Sequence, residues 1–251
     1  MQGELFDLTV ANLTRASGTA RLRWTGIASD RWKYAIKRTA DHPLLPGSEW
    51  FCHKLAEAVH LPTPVYRKLR LEEDGTLAFG SRWESEAKQW DTIDPGDRER
   101  YFRTGINVCR IIGLDLFLPN GDRNLGNFLW HLIDGHPVAM AFDYSEGWAM
   151  HGPIDNPPPL PANCRTTMVM QWLKQIGALR PGDIGETLGR ITRLTPRHIG
   201  MIADTIPDEW LPAGGKNAII DWWSAPETVG RLAILTAQYP CAAVTTTPSS
   251  A

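Results

Sequence analysis

The chain has 251 residues, 43% of them hydrophobic and 22% charged, with a formal net charge of −2. That balance is ordinary for a globular protein, fits one large domain or two small lobes around a shared cleft, and sets up no strong field to draw nucleic acid or an anionic membrane. No stretch approaches the roughly 18 apolar residues of a membrane span. The start, Met1-Gln2-Gly3-Glu4-Leu5, has no basic region followed by an apolar run, so no signal peptide is expected. Cys52, Cys109, Cys164 and Cys241 are scattered without a C-x-x-C pair, which points away from a disulfide framework or a zinc site and towards a cytoplasmic location. The 11 Trp are expected mostly in the core or in the wall of a cleft.

Residues 5–15 and 20–27 alternate apolar and polar through Leu8, Val10 and Leu13, then Leu22, Trp24 and Ile27, which predicts a β-hairpin. Its turn carries Ser17, Gly18 and Thr19. Such a turn can lay backbone N–H groups on phosphates or simply reverse the chain, and the residues leave both readings open. A third strand over 31–38 puts Tyr34 and Ile36 on one face and Lys33, Ala35 and Lys37 on the other. Its Tyr-Ala-Ile-Lys segment is similar to the Val-Ala-Ile-Lys strand of kinases, whose Lys grips nucleotide phosphates; a Lys at a strand end is otherwise a solvated edge charge. A helix is expected to open at Pro46-Gly47-Ser48, with Ser48 as N-cap, and to stop before Leu61-Pro62. It offers Glu49 and Glu57, one of which would hold the Lys37 ammonium in a kinase. Strands over 65–71 and 77–83 complete a five-stranded antiparallel sheet. The connection at 81–85, with Trp83 and Glu84, lies where a kinase offers backbone groups to an adenine edge.

From Asp94-Pro95 onward the pattern is helical, and Tyr101, Ile106, Val108, Ile111, Ile112, Leu114 and Leu116 predict one long buried helix. It leads to a turn-rich loop, Asn120-Gly121-Asp122-Arg123-Asn124-Leu125-Gly126-Asn127, followed by a strand, an Asp134-Gly135 turn, and a second strand ending at Asp143. Two carboxylates and an amide oxygen in this layout suit phosphoryl transfer. Asp122 would orient or deprotonate a hydroxyl, and Asn127 and Asp143 would hold Mg²⁺ against nucleotide phosphates. The Asp-x-x-x-x-Asn spacing is that of the protein-kinase catalytic loop; a polar turn with Asx caps would show the same two residues. The prolines of 156–161 predict an extended connection. Helices are expected over 167–176, 183–194, 196–203 and 216–239, the last broken at Ala225-Pro226, with a short turn and apolar plug near Trp210.

These residues resemble the HipA-like kinase family, including its shorter relatives that consist of little more than the kinase core. Three segments carry the resemblance: Ser48-Glu49-Trp50 through Leu61-Pro62-Thr63-Pro64, the loop Asn120 to Asn127, and Ala141-Phe142-Asp143-Tyr144-Ser145. The loop is also similar to that of phosphatidylinositol kinases. The resemblance implies an α+β, two-lobed protein-kinase-like fold, with a small antiparallel β-sheet lobe over 1–85, a mainly helical catalytic lobe over 86–240, and a disordered tail over 241–251. It implies ATP and Mg²⁺ as cofactors and a Ser or Thr hydroxyl as acceptor. Lys37 matches the phosphate-contacting Lys, Glu49 its helix partner, Asp122 the catalytic Asp, and Asn127 and Asp143 the metal ligands. Ser17, Gly18 and Thr19 fall at the phosphate-covering loop, and Trp83 and Glu84 at the nucleotide-facing connection. Asp143 is followed by Tyr-Ser where most protein kinases have Phe-Gly.

A protein substrate and an antitoxin-like partner are the expected partners, with no direct nucleic-acid contact and no membrane. Two alternatives keep the fold: a small-molecule or lipid kinase, and a catalytically silent binding module. The intact Lys37, Asp122, Asn127 and Asp143 set argues against the silent one.

Overall fold

The computed structural model describes residues 8–16, 24–155, 157 and 159–241. The expected phosphate-covering turn at Ser17, Gly18 and Thr19, and nearly all of the expected tail, lie outside them. Five strands come first: β1 (Leu8–Arg15), β2 (Trp24–Ala28), β3 (Lys33–Lys37), β4 (Tyr66–Leu71) and β5 (Leu77–Arg82). They do not form the plain antiparallel sheet expected. They close into a barrel in the order β1-β2-β3-β5-β4, because β1 pairs with β4 in parallel, Leu8 against Leu69 and Val10 against Leu71. Closure removes the two open edges that a sheet of apolar strands would leave exposed. An irregularity between Val10 and Leu13 bends β1 toward its second partner. Val10, Tyr34, Ile36, Leu69, Leu71 and Ala78 fill the interior. Gly80 makes room there: a Cβ on it would stand 2.2 Å from Leu69 Cδ1.

Between β3 and β4 runs α1 (Leu45–Ala58). It starts three residues before the expected Ser48 cap, on Leu45 and Pro46, where a proline's missing N–H costs nothing. Ser48 is buried inside the first turns, and its hydroxyl donates to Gly147 C=O at 3.4 Å. Trp50, Phe51, Cys52, Leu55 and Ala56 bury the helix on nearly all sides, so α1 is wedged between the barrel and the helical half.

The single long helix expected after Asp94-Pro95-Gly96-Asp97 is two: α2 (Arg98–Thr104) and α3 (Val108–Phe117). The break lies at Gly105, which is held against Trp130 and the Tyr101 carbonyl, and at Asn107, whose φ is 72°. Between them Ile106 leaves the helical path to exchange backbone hydrogen bonds with Pro137 (2.9 Å) and Ala139 (3.0 Å). The hairpin β6 (Phe128–Ile133) and β7 (His136–Ala141) turns on Asp134 and Gly135, both at positive φ, as the sequence predicts. The remaining helices are α4 (Arg165–Gln175), α5 (Pro181–Ile191), α6 (Pro196–Asp204), α7 (Gly215–Ser224) and α8 (Pro226–Gln238). Gly113 lets α3 approach α5 closely. The short turn Asp208–Trp210 plugs Trp210 under the barrel, where its indole donates to Leu77 C=O at 3.1 Å. Among the described residues no helix is long and apolar enough to cross a membrane.

Candidate active site

Lys37 ends β3 with its side chain on the face turned towards α1. Its ammonium donates to Glu49 Oε1, one turn into the buried body of α1, and to Asp143 Oδ1 at 2.7 Å, two residues beyond β7. Three elements far apart in the chain therefore meet on one nitrogen. Burial disfavours the Lys37 cation, but Asp143 and Glu49 outweigh it and leave its pKa raised. The two carboxylates are not equivalent. Burial raises the pKa of Glu49, which is fully sealed, with Lys37 and the Tyr144 N–H (2.9 Å) pulling against it. Burial would raise Asp143 as well, yet Lys37 and the Ser145 hydroxyl hold it well below the usual carboxylate range. Asp143 is the partly exposed one, at 24%, and it is the one that stays firmly ionised. Its φ of 60° lies in the left-handed region, which Asp tolerates better than most residues.

The loop carrying Asp122 is fixed from behind. Arg123 is fully buried; its Nε and Nη2 donate to the Asp115 carboxylate at 2.7 and 3.0 Å. Its Nη1 donates to the carbonyls of Asn127 and Phe142, both at 2.6 Å, tying the loop to the segment that carries Asp143. Asn120 also donates to Asp115, at 2.7 Å. The Thr166 hydroxyl, on α4, donates to Asn120 C=O and accepts from the Arg123 N–H at 3.1 Å. Asn124 caps the turn Leu125–Asn127 by accepting from the Gly126 N–H at 2.8 Å. The Asx-capped-turn reading of these residues is thus part of the geometry. The Asn127 amide nitrogen donates to Asp122 C=O at 2.9 Å, which leaves its Oδ1 without a protein partner among the described residues.

Asp122, Asn127 and Asp143 line one cleft of about 530 Å³ between the barrel and the helical half, together with Ala35, Trp83 and Glu84. Lys37 and Glu49 do not line it; they reach it through Asp143. At the connection, the Trp83 N–H is already bonded to Lys33 C=O at 2.7 Å, and Glu84 pairs with Arg82 at 3.2 Å. Among the described residues no three His, Cys, Asp or Glu side chains converge on a metal position. One ionised carboxylate and one free amide oxygen instead fit a cation that completes its shell with phosphate and water oxygens, the usual habit of Mg²⁺.

The sequence reading passed over Asp115, Arg123, Thr166 and Arg165. Asp115 had a legible signal, an acid between Leu114 and Leu116 in an apolar helical run. Arg165, whose Nη1 donates to Asp122 Oδ1 at 2.8 Å, had none.

No protein-family model matches the chain, and no curated protein matches it in sequence. Solved structures match it in fold. One is the Helicobacter pylori proinflammatory kinase CtkA, with a TM-score of 0.54 at 12% identity, the alignment covering 93% of this chain and 95% of that one. The fold is kinase-like. At that identity the similarity speaks for the fold alone.

Proposed function

We propose that the protein is an ATP- and Mg²⁺-dependent kinase of the HipA-like kind, transferring a γ-phosphoryl group to a Ser or Thr hydroxyl, with a protein as favoured acceptor. The observation that carries the reading is the Lys37 ammonium shared by Glu49 and Asp143, with Asp143 lining one cleft together with Asp122 and Asn127. Stability is a weak reason to gather a buried Lys, two acids and an oriented amide beside an open cavity, since apolar groups of similar volume often serve folding as well as a buried ion pair. Such clusters of perturbed groups in a cleft mark sites of chemistry.

Each residue then has a task. Asp122 takes or orients the acceptor's proton. Asn127 and Asp143 would hold the metal, which would supply charge neutralisation at the phosphates. Lys37 offers its ammonium to the phosphates, and Glu49 keeps that ammonium from collapsing onto Asp143 alone. Residues 1–85 would hold the nucleotide from one side and 86–240 from the other. The HipA-like assignment rests on the segments around Glu49, Asp122 and Asp143 quoted above.

The test uses the full chain with Mg·ATP. Autophosphorylation is read by mass spectrometry and binding by thermal shift. Asp122→Asn is expected to lose transfer by about 10²- to 10⁴-fold, the usual contribution of a general base, and to keep the nucleotide-induced shift. An Asp122→Asn protein that turns over like the parent sinks the assignment of Asp122. A parent whose melting temperature ignores millimolar Mg·ATP sinks the kinase reading as a whole.

A further inference from the structure

Asp122 stands between two cavities. On one side is the cleft of about 530 Å³; on the other is a second hollow of about 380 Å³, walled by Pro119, Gly121, Trp148, Pro159 and Pro161. Among the described residues only Asp122 and Arg165 line both. Arg165 is the first residue of α4, and its neighbour Thr166 is fully buried and bonded to the loop on both sides of Asp122. The backbone under Arg165 is therefore fixed to that loop. Its guanidinium is not: the side chain is 64% exposed, and its one hydrogen bond among the described residues is to Asp122.

The other cations near the site are committed. Lys37 is held by Glu49 and Asp143, Arg123 by Asp115 and two carbonyls, and Arg82 by Glu84 and the Trp32 ring. Arg165 alone, among the described residues lining the junction, brings a planar fork of N–H donors with most of them unused. That is the chemistry that binds a phosphoryl oxyanion in two-pronged fashion. An ion pair as exposed as this one contributes little to folding, so stability does not account for its placement.

We propose that Arg165 is a catalytic residue of the transfer set out above, on which this inference rests: its guanidinium binds the phosphoryl group as that group crosses from the cleft to the second hollow. In the resting protein the guanidinium sits on Asp122. As the acceptor enters from the proline-walled side, its hydroxyl takes the Asp122 carboxylate and Arg165 swings to the phosphoryl oxygens. The acceptor oxygen bonds to phosphorus while the bond to the nucleotide's bridging oxygen breaks. The electron pair leaves with the nucleoside diphosphate, and the hydroxyl proton passes to Asp122. Guanidinium groups aimed at the charge spread over a transferring phosphoryl act on the transition state rather than on the bound nucleotide.

The experiment is a binding measurement on the full chain. Mg·ADP, alone and with tetrafluoroaluminate as a mimic of the transferring phosphoryl, is titrated calorimetrically into the parent, Arg165→Ala and Arg165→Lys. Mg·ADP is expected to bind all three alike. The fluoroaluminate complex is expected to weaken by about a hundredfold in Arg165→Ala, the scale of removing one such donor, and by less in Arg165→Lys, which keeps the charge and loses the fork. If Arg165→Ala binds both ligands like the parent, the proposal fails while the kinase reading stands. If Arg165→Ala hydrolyses ATP faster than the parent, the proposal also fails, because the pair would then be a brake on Asp122. A parent that binds neither ligand overturns both.

Discussion

The buried layer behind the cleft, its floor, and the junction of the cleft with the second hollow, its mouth, hold the same kinds of charged group under opposite conditions. On the floor, Arg123 and Asp115 are both fully buried and joined by two hydrogen bonds, and the Lys37 ammonium is shared between Glu49 and Asp143. At the mouth, Arg165 is 64% exposed and reaches Asp122 through one bond. A sealed pair cannot separate without stranding a charge in a medium that solvates it poorly. An open pair can exchange its partner for water or for a ligand at little cost. The contrast separates the Arg123–Asp115 pair, which holds the loop in shape, from the Arg165–Asp122 pair, which is free to change partners.

The hardest way to break the contrast is to attack the floor. Asp115→Ala removes the one carboxylate hydrogen-bonded to Arg123 among the described residues and leaves a buried cation on two carbonyls. Burial opposes the Arg123 charge, and it is Asp115 that keeps the guanidinium's pKa raised. Breaking one half of a buried pair costs about 3–5 kcal/mol. Urea unfolding should show that loss as a lower midpoint with little change in slope. The variant should also lose transfer activity, since Arg123 ties the Asp122 loop to the Asp143 segment. A midpoint within error of the parent would mean that the floor is not held by this pair.

The Arg123–Asp115 pair is also where the sequence was least legible. Asp122, Asn127 and Asp143 could be read from spacing and from a hairpin signal, because Asp134-Gly135 dictates a tight turn and the apolar run before residue 143 dictates a strand. Lys37 could be read from the likeness of Tyr-Ala-Ile-Lys to a kinase strand. What spacing does not carry is long-range partnership. Arg123 looks in sequence like any loop Arg, and only the fold turns it inward to Asp115, eight residues earlier. Closure of the barrel was hidden for the same reason: β1 and β4 pair across more than fifty residues, and nothing local marks a parallel partner. The break at Gly105 was missed because the apolar period runs straight through it, while the backbone obeys the crowding of Trp130 and Tyr101.

A second test of the floor uses pH. His53 lies on α1 one turn after Glu49, with its Nδ1 on the Glu49 carbonyl at 2.8 Å and its ring among Tyr66, Phe79 and Tyr144. The charged groups that face it are Glu49, Lys37, Arg123 and Asp143. Burial lowers its pKa to about 3. In the unfolded chain the imidazole takes up a proton near its ordinary value of about 6.5. Between these two values the unfolded state binds more protons than the folded one, so stability falls as pH falls from about 6.5 towards 3. At pH 5 the loss amounts to about 2 kcal/mol from this residue. His53→Phe keeps an aromatic ring and cannot titrate. Its melting temperature should therefore decline less than the parent's between pH 7 and pH 5. Parallel decline in the two proteins would show that His53 is not the group that senses acid here.

The smallest expected effect is the one that most sharpens the comparison. Arg165→Ala removes a cation from Asp122, as Asp115→Ala removes an anion from Arg123, yet its consequence for folding should be opposite in scale. Exposed pairs contribute about 0–1 kcal/mol. Asp122 loses its one ion-pair partner among the described residues but remains at the wall of two open cavities, where water can solvate it. The Thr166 anchor beneath Arg165 is untouched, so α4 keeps its place on the loop. The urea midpoint of Arg165→Ala should stay close to the parent's, and any difference should shrink in about 1 M salt, where screening acts within about 3 Å. A loss approaching that of Asp115→Ala, insensitive to salt, would make the mouth as structural as the floor. A loss near zero leaves Arg165 with no role in holding the fold, which is what the role proposed for it at the junction of the two cavities requires.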